Sequence, residues 1–145
     1  MKKLFFLLML TWGLISGCTA QETVEQKKTT VAKSQKTLPE QLAQAQLDAY
    51  NGHDLEAFLK PYAEDVKVYQ FPNTLQFEGK STMRESYQFL ETTPDLHCEL
   101  VNRIVQGNTI IDHENVTIDK DKPSFKAIAI YKIKDGKIAE VYFIQ

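Results

Sequence analysis

The 145-residue chain, 16.6 kDa with 43% hydrophobic residues, holds apolar material for one ordinary core and little for a second. Its formal net charge of -2 hides an asymmetry, because from residue 38 onward 17 acidic residues face 11 basic ones. Such a surface repels a phosphate backbone, so nucleic acid is excluded as an expected partner.

In chain order, the first residues are a basic pair, Lys2 and Lys3, followed by an apolar run from Leu4 to Leu10 that continues through Trp12, Leu14 and Ile15. That run has the make-up of a secretory signal and is too short to cross a membrane as a mature helix. It ends in Ile15-Ser16-Gly17-Cys18, which resembles the lipobox of bacterial lipoproteins. The resemblance implies removal of residues 1–17, acylation of Cys18 with palmitate-type chains, and attachment to the membrane through that lipid. Thr19, where an aspartate would signal retention, resembles Gram-negative sorting signals for the outer membrane of the cell envelope. Residues 18–37 are rich in Gln, Glu, Thr, Lys and Ser and read as a flexible tether. With Cys18 acylated, Cys98 is the only thiol left, so no intramolecular disulfide is expected, and Cys98 reads as a small buried strand residue.

Residues 38–145 form the expected domain. Thr37-Leu38-Pro39-Glu40 is a capping box with proline in the permitted first turn, opening a helix whose stripe is read as Leu38, Leu42, Ala45 and Ala49, ended by Gly52. A short second helix follows the cap Asp54 and stops near Pro61. A third starts at the cap Ser81 and sets Met83, Tyr87 and Leu90 on one face. Strands are expected over Val66 to Phe71, Leu96 to Val105, Thr109 to Ile118, Ser124 to Ile133 and Lys137 to Ile144. The joints Gln106-Gly107-Asn108, Asp119 to Pro123 and Asp135-Gly136 read as hairpin turns. Helices first and a strand meander afterward is an α+β layout.

From Pro39 to Ile144 the chain resembles the nuclear transport factor 2-like superfamily, with its ketosteroid isomerases, limonene-epoxide hydrolases and SnoaL-like cyclases. The residues carrying the likeness are Ala49-Tyr50-Asn51 leading into Asp54-Leu55-Glu56-Ala57-Phe58, then Tyr62-Ala63-Glu64-Asp65-Val66, Phe77-Glu78-Gly79-Lys80, Ile130-Tyr131-Lys132-Ile133 and Asp135-Gly136-Lys137-Ile138. The resemblance implies a cone-shaped roll, three N-terminal helices packed in a curved antiparallel sheet around a pocket. It also shows which chemistry is missing. Where the isomerases carry a base carboxylate and two oxyanion donors, this chain has Gln70, Gln46 and Ala129, so no steroid isomerase activity is expected. Where the epoxide hydrolases carry an arginine and two aspartates, it has Glu114, Val116 and Phe143.

Alternation puts Ile110, Asp112, Glu114, Val116 and Ile118 on one strand face, which the resemblance turns inward. A carboxylate in that apolar stripe is desolvated, so Glu114 is the candidate general base or polar anchor, with the bland alternative of a buried structural glutamate. His97 on the preceding strand is the candidate catalytic partner, although alternation also allows it to face solvent with Glu99, Val101 and Arg103. Tyr62, Tyr69, Gln70, Tyr87, Tyr131 and Phe143, with Phe71, are the expected ligand-binding residues. His53 and His113 look less useful, and neither His-x-His nor His-Glu-x-x-His occurs, so no metal is expected. No Gly-rich phosphate loop or Gly-x-Ser-x-Gly turn occurs either, and no cofactor is expected. Three functions fit: binding of a small apolar molecule, an isomerase-like or SnoaL-like enzyme using Glu114, and a homodimeric interaction module.

Overall fold

A computed structural model describes residues 35–145, and the expected signal, lipidation site and most of the tether lie outside the described residues. Helix α1 (Leu38–Asn51) opens at the expected capping box, with Glu40 accepting hydrogen bonds from the backbone N–H and the hydroxyl of Thr37 at 2.9 and 2.8 Å. Its buried side is Ala43, Gln46, Leu47 and Ala49, while Leu38 and Ala45 are exposed. Of the stripe read from the sequence, Ala49 is buried and Leu42 packs against the core, while Leu38 and Ala45 miss it, because the inward face carries a glutamine that hydrophobic periodicity does not count.

Helix α2 (Leu55–Leu59) is capped by Asp54, whose carboxylate accepts from the Ala57 N–H at 2.8 Å. Phe58, 1% exposed, is its main contribution to the core, a burial that stabilises by roughly 2–3 kcal/mol. Helix α3 (Lys80–Ser86) starts two residues earlier than a cap at Ser81 predicts. Its cap is Gly79, held at φ +92, a backbone state that side chains rarely adopt. A 3₁₀ turn, Gln88–Glu91, then carries fully buried Leu90.

The strands are β1 (Tyr62–Gln70), β2 (Thr74–Glu78), β3 (His97–Gln106), β4 (Thr109–Thr117), β5 (Phe125–Lys134) and β6 (Lys137–Ile144), forming one sheet in the order β2-β1-β6-β5-β4-β3. Strand β2 had no counterpart in the sequence reading. It is a short, mostly exposed hairpin partner of β1 whose five residues alternate polar and apolar over too short a span to stand out. The three expected hairpin joints connect β3 to β4, β4 to β5 and β5 to β6. Asp135 and Gly136 both take positive φ, +50 and +74, as a tight two-residue hairpin turn requires. One pairing, β1 with β6, is parallel and joins the first hairpin to the meander.

Strand β3 departs from simple alternation. Leu100 pairs with Glu114 and Asn102 with His113, so Val101 is an extra residue that bulges from the ladder and is 51% exposed. Beyond it the faces reverse in sequence count. Arg103, expected on the same face as His97, points inward and pairs with Asp112.

Candidate functional site

The curved sheet and the helices enclose a cavity of about 640 Å³. Its closed end is marked by the buried residues Gln46, Tyr62, Cys98, Glu114 and Tyr131, and its open end by the more exposed Gln76, Phe89, Ile118, Phe125 and Gln145. Among the described residues, no Lys, Arg or His lines it, and Glu114 is the one acidic residue that does.

Glu114 is positioned by strand alternation. Ile110, Asp112, Glu114 and Val116 are all buried on the inward face of β4, as the sequence suggests. Its carboxylate accepts from the Tyr131 hydroxyl at 3.3 Å, Tyr131 in turn accepts from Gln46 Nε2 at 3.0 Å, and Gln46 Oε1 accepts from the Tyr62 hydroxyl at 3.3 Å. Hydrogen-bond donation thus runs from Tyr62 through Gln46 and Tyr131 to Glu114, drawing on β1, α1, β5 and β4 in one chain of contacts. The network explains why a glutamine sits on the buried face of α1. Every polar atom it brings inward is satisfied.

Burial, and then the neighbouring Asp112 carboxylate, push the Glu114 carboxyl up to about 7, while the Tyr131 hydroxyl, the Cys98 thiol and Arg103 pull the other way. Asp112, wholly buried, is matched by Arg103. The guanidinium donates through Nε at 2.7 Å and Nη2 at 2.6 Å to the two carboxylate oxygens, and through Nη1 to Gln44 Oε1 at 3.0 Å. Glu114 has no such cation. Desolvation raises the Tyr62, Tyr131, Tyr87 and Tyr50 hydroxyls above the ordinary range, so all four remain neutral donors at physiological pH. It also raises the Cys98 thiol, which is therefore held in its neutral form beside Glu114.

Of the expected ligand-binding residues, Tyr62, Gln70, Tyr87, Tyr131 and Phe143 line the cavity, and Glu114 lies among them. Tyr69 does not. It lies between inward Val68 and Gln70 on β1, faces outward, and stacks on Tyr142 with ring centroids 4.8 Å apart. Phe71, past the end of β1, is 51% exposed and also outside the cavity. His97 is exposed beside buried Leu96 and Cys98, so it cannot orient Glu114 and the expected partnership is not formed. Its place beside Glu114 is taken by Tyr131. His113 faces outward from β4, and His53 Nδ1 meets the Leu90 carbonyl at 2.9 Å, a contact between connecting segments.

Three participants escaped the sequence reading. Tyr50 and Phe58 complete an aromatic wall, with Phe58 centred 6.1, 5.3 and 4.6 Å from Tyr50, Tyr62 and Tyr87. Gln46 entered only as the replacement for an isomerase tyrosine, and nothing in its neighbours signals a buried relay. Among the described residues, no three His, Cys, Asp or Glu side chains are arranged to hold a metal ion.

A family model described as the SnoaL-like domain matches residues 43–141. The chain belongs to the SnoaL-like family. Solved structures similar to this SnoaL-like domain include a cystatin-fold protein from Novosphingobium aromaticivorans, at TM-score 0.67 and 22% identity over 77% of this chain and 100% of that one. They also include a SnoaL-like protein from Burkholderia thailandensis, at TM-score 0.64 and 19% identity over 76% and 95%. An NTF2-like protein from Cytophaga hutchinsonii follows at TM-score 0.61 and 17% identity over 77% and 92%. Identities this low establish the cone-shaped α+β fold and carry no activity across. No curated protein matches the chain.

Proposed function

We propose that this protein is a lipid-anchored component of a bacterial envelope whose SnoaL-like domain binds a small, mostly apolar molecule, with Glu114 as the polar anchor. The observation that carries the reading is the placement of Glu114: among the described residues it is the one carboxylate lining a mostly apolar and aromatic cavity of about 640 Å³, buried among Tyr62, Cys98 and Tyr131. That volume lies in the range of small-molecule sites, and one convergent polar group among apolar walls is their usual composition. Binding of the neutral solvatochromic dye Nile red tests it. The dye's blue-shifted emission should appear with the wild-type domain and disappear when Ala127, a cavity-lining residue 4% exposed, is replaced by Trp in a protein that still melts cooperatively. Unchanged dye binding in Ala127→Trp would place the dye elsewhere and remove the support.

The envelope part of the reading rests on Ile15-Ser16-Gly17-Cys18 behind its apolar run. Mass spectrometry of protein extracted from host membranes should find a mature chain starting at acylated Cys18. An unmodified Cys18, or a start elsewhere, would overturn it.

One observation favours a second reading, in which Glu114 moves a proton. A carboxyl at about 7 that already accepts from Tyr131 is matched to general-base work near neutral pH. Deuterium uptake from D₂O into an apolar ketone, lost in Glu114→Gln, would support it. Uptake equal to the solvent background would leave binding as the function.

A further inference from the structure

We propose that the cavity is built for an apolar organic cation, a protonated amine whose charged end is seated between Glu114 and the tyrosine rings around it. The inference rests on the reading of this cavity as a ligand site and adds the charge of what occupies it. Three independent features point the same way. First, among the described residues the sign of the site is set by Glu114, because none of them that lines the cavity is Lys, Arg or His. The nearest cation, Arg103, is committed to both oxygens of Asp112 and to Gln44. A ligand carboxylate would face Glu114 with nothing to balance it.

Second, the internal hydrogen bonds have a direction. Gln46 uses its carbonyl oxygen on Tyr62 and its amide nitrogen on Tyr131, which leaves the Tyr131 proton for Glu114. The Tyr62 and Tyr131 protons are committed within this relay, and what the relay presents at its terminus is the acceptor capacity of a carboxylate. A ligand donor completes the relay at Glu114. Third, the wall beside Glu114 is aromatic, with Phe58 centred within 6.1 Å of Tyr50, Tyr62 and Tyr87. Aromatic rings attract an ammonium group in a desolvated site, whereas they offer a neutral alcohol or ether little beyond contact. Burial raises the Glu114 carboxyl in the empty cavity. A cation at contact distance reverses that effect by favouring the ionised form.

The test compares three ligands of one skeleton by isothermal titration at pH 8 with the wild-type protein: 4-phenylbutylamine, 4-phenylbutanol and 4-phenylbutanoate. The amine should bind at least tenfold more tightly than the alcohol and the carboxylate most weakly, and Glu114→Gln should bring amine and alcohol to the same affinity. An alcohol or carboxylate binding as tightly as the amine would overturn the proposal. So would failure of all three to bind while Nile red does, and in either case the cavity would stand as a ligand site. If neither the three ligands nor Nile red binds, the underlying reading falls too. The wild-type comparison decides the matter even if Glu114→Gln does not fold.

Discussion

Replacing Glu114 by Gln should change the pH dependence of stability more than stability itself. In the folded domain the carboxyl sits at about 7 against an ordinary 4.5, for which burial is the first cause and the Asp112 charge the second. An acid whose folded value is raised favours the folded state in its protonated form. The wild-type domain therefore holds this contribution below about pH 4.5 and loses it progressively as pH rises through about 7. At about 1.4 kcal/mol per tenfold change in proton affinity, the loss amounts to about 3 kcal/mol. Glutamine keeps the shape and one acceptor but cannot ionise, so the variant should gain on the wild type by about 3 kcal/mol between pH 4.5 and 8. The groups facing Glu114 do not obscure the comparison. Asp112 and Arg103 are present in both proteins, and Tyr50, Tyr62, Tyr87, Tyr131 and Cys98 are all raised away from this range. Urea unfolding followed by tryptophan-independent far-ultraviolet circular dichroism at four pH values would measure it. A difference between the two proteins that stays flat from pH 4.5 to 8 would refute the placement of an ionisable, desolvated Glu114.

Arg103→Met should cost about 3–5 kcal/mol in the same unfolding assay, because Asp112 is 0% exposed and would be left charged without a partner. The double variant Arg103→Met, Asp112→Leu should recover most of that loss, and additivity of the two changes would show that the pair is not coupled. Asp54→Ala should cost about 1 kcal/mol by leaving the first turn of α2 without its side-chain acceptor, and a thermal midpoint unchanged from wild type would mean the cap is dispensable. Tyr131→Phe removes a hydrogen bond that lowers the Glu114 carboxyl, so the Glu114 side-chain carboxyl signal in NMR should titrate at higher pH than in the wild type. A midpoint equal to or below the wild-type value would show that Tyr131 does not hold this carboxyl.

Strands β4 and β5 were legible because their pattern is strict. Buried and half-buried residues alternate from Thr109 to Thr117, and period two fixes which side chains share a face. The inward position of Glu114 follows from counting alone. The same counting fails on β3, where the bulge at Val101 shifts Arg103 across the sheet, and nothing in Glu99-Leu100-Val101-Asn102 distinguishes an extra residue from a paired one. The cost of that shift in legibility is chemical as well as geometric, since alternation puts the cation that neutralises Asp112 on the face of His97 and away from Asp112. Gln46 was hidden for a related reason. An amide on a buried helix face breaks the apolar stripe, and the Tyr62 and Tyr131 hydroxyls that satisfy it lie far away in sequence. Tyr69 failed because aromatic character was taken as a sign of the pocket. On β1 it belongs instead to an outward row in which Ile104, Ile111, Ile130, Tyr142 and Tyr69 are successive cross-strand partners.

Strand β3 ends the sheet, and the outermost strand of any sheet offers its unpaired backbone to other chains. Here the Asn51 side chain, at the end of α1, accepts from the Cys98 N–H at 2.7 Å and donates to the Cys98 carbonyl at 2.9 Å. One side-chain amide thus imitates the two hydrogen bonds that a foreign strand would make at that point. The helix that supplies Gln46 to the cavity also closes a docking point for fibrous self-association. Asn51 thereby occupies one pairing position of the β3 edge through a side chain that does not line the cavity.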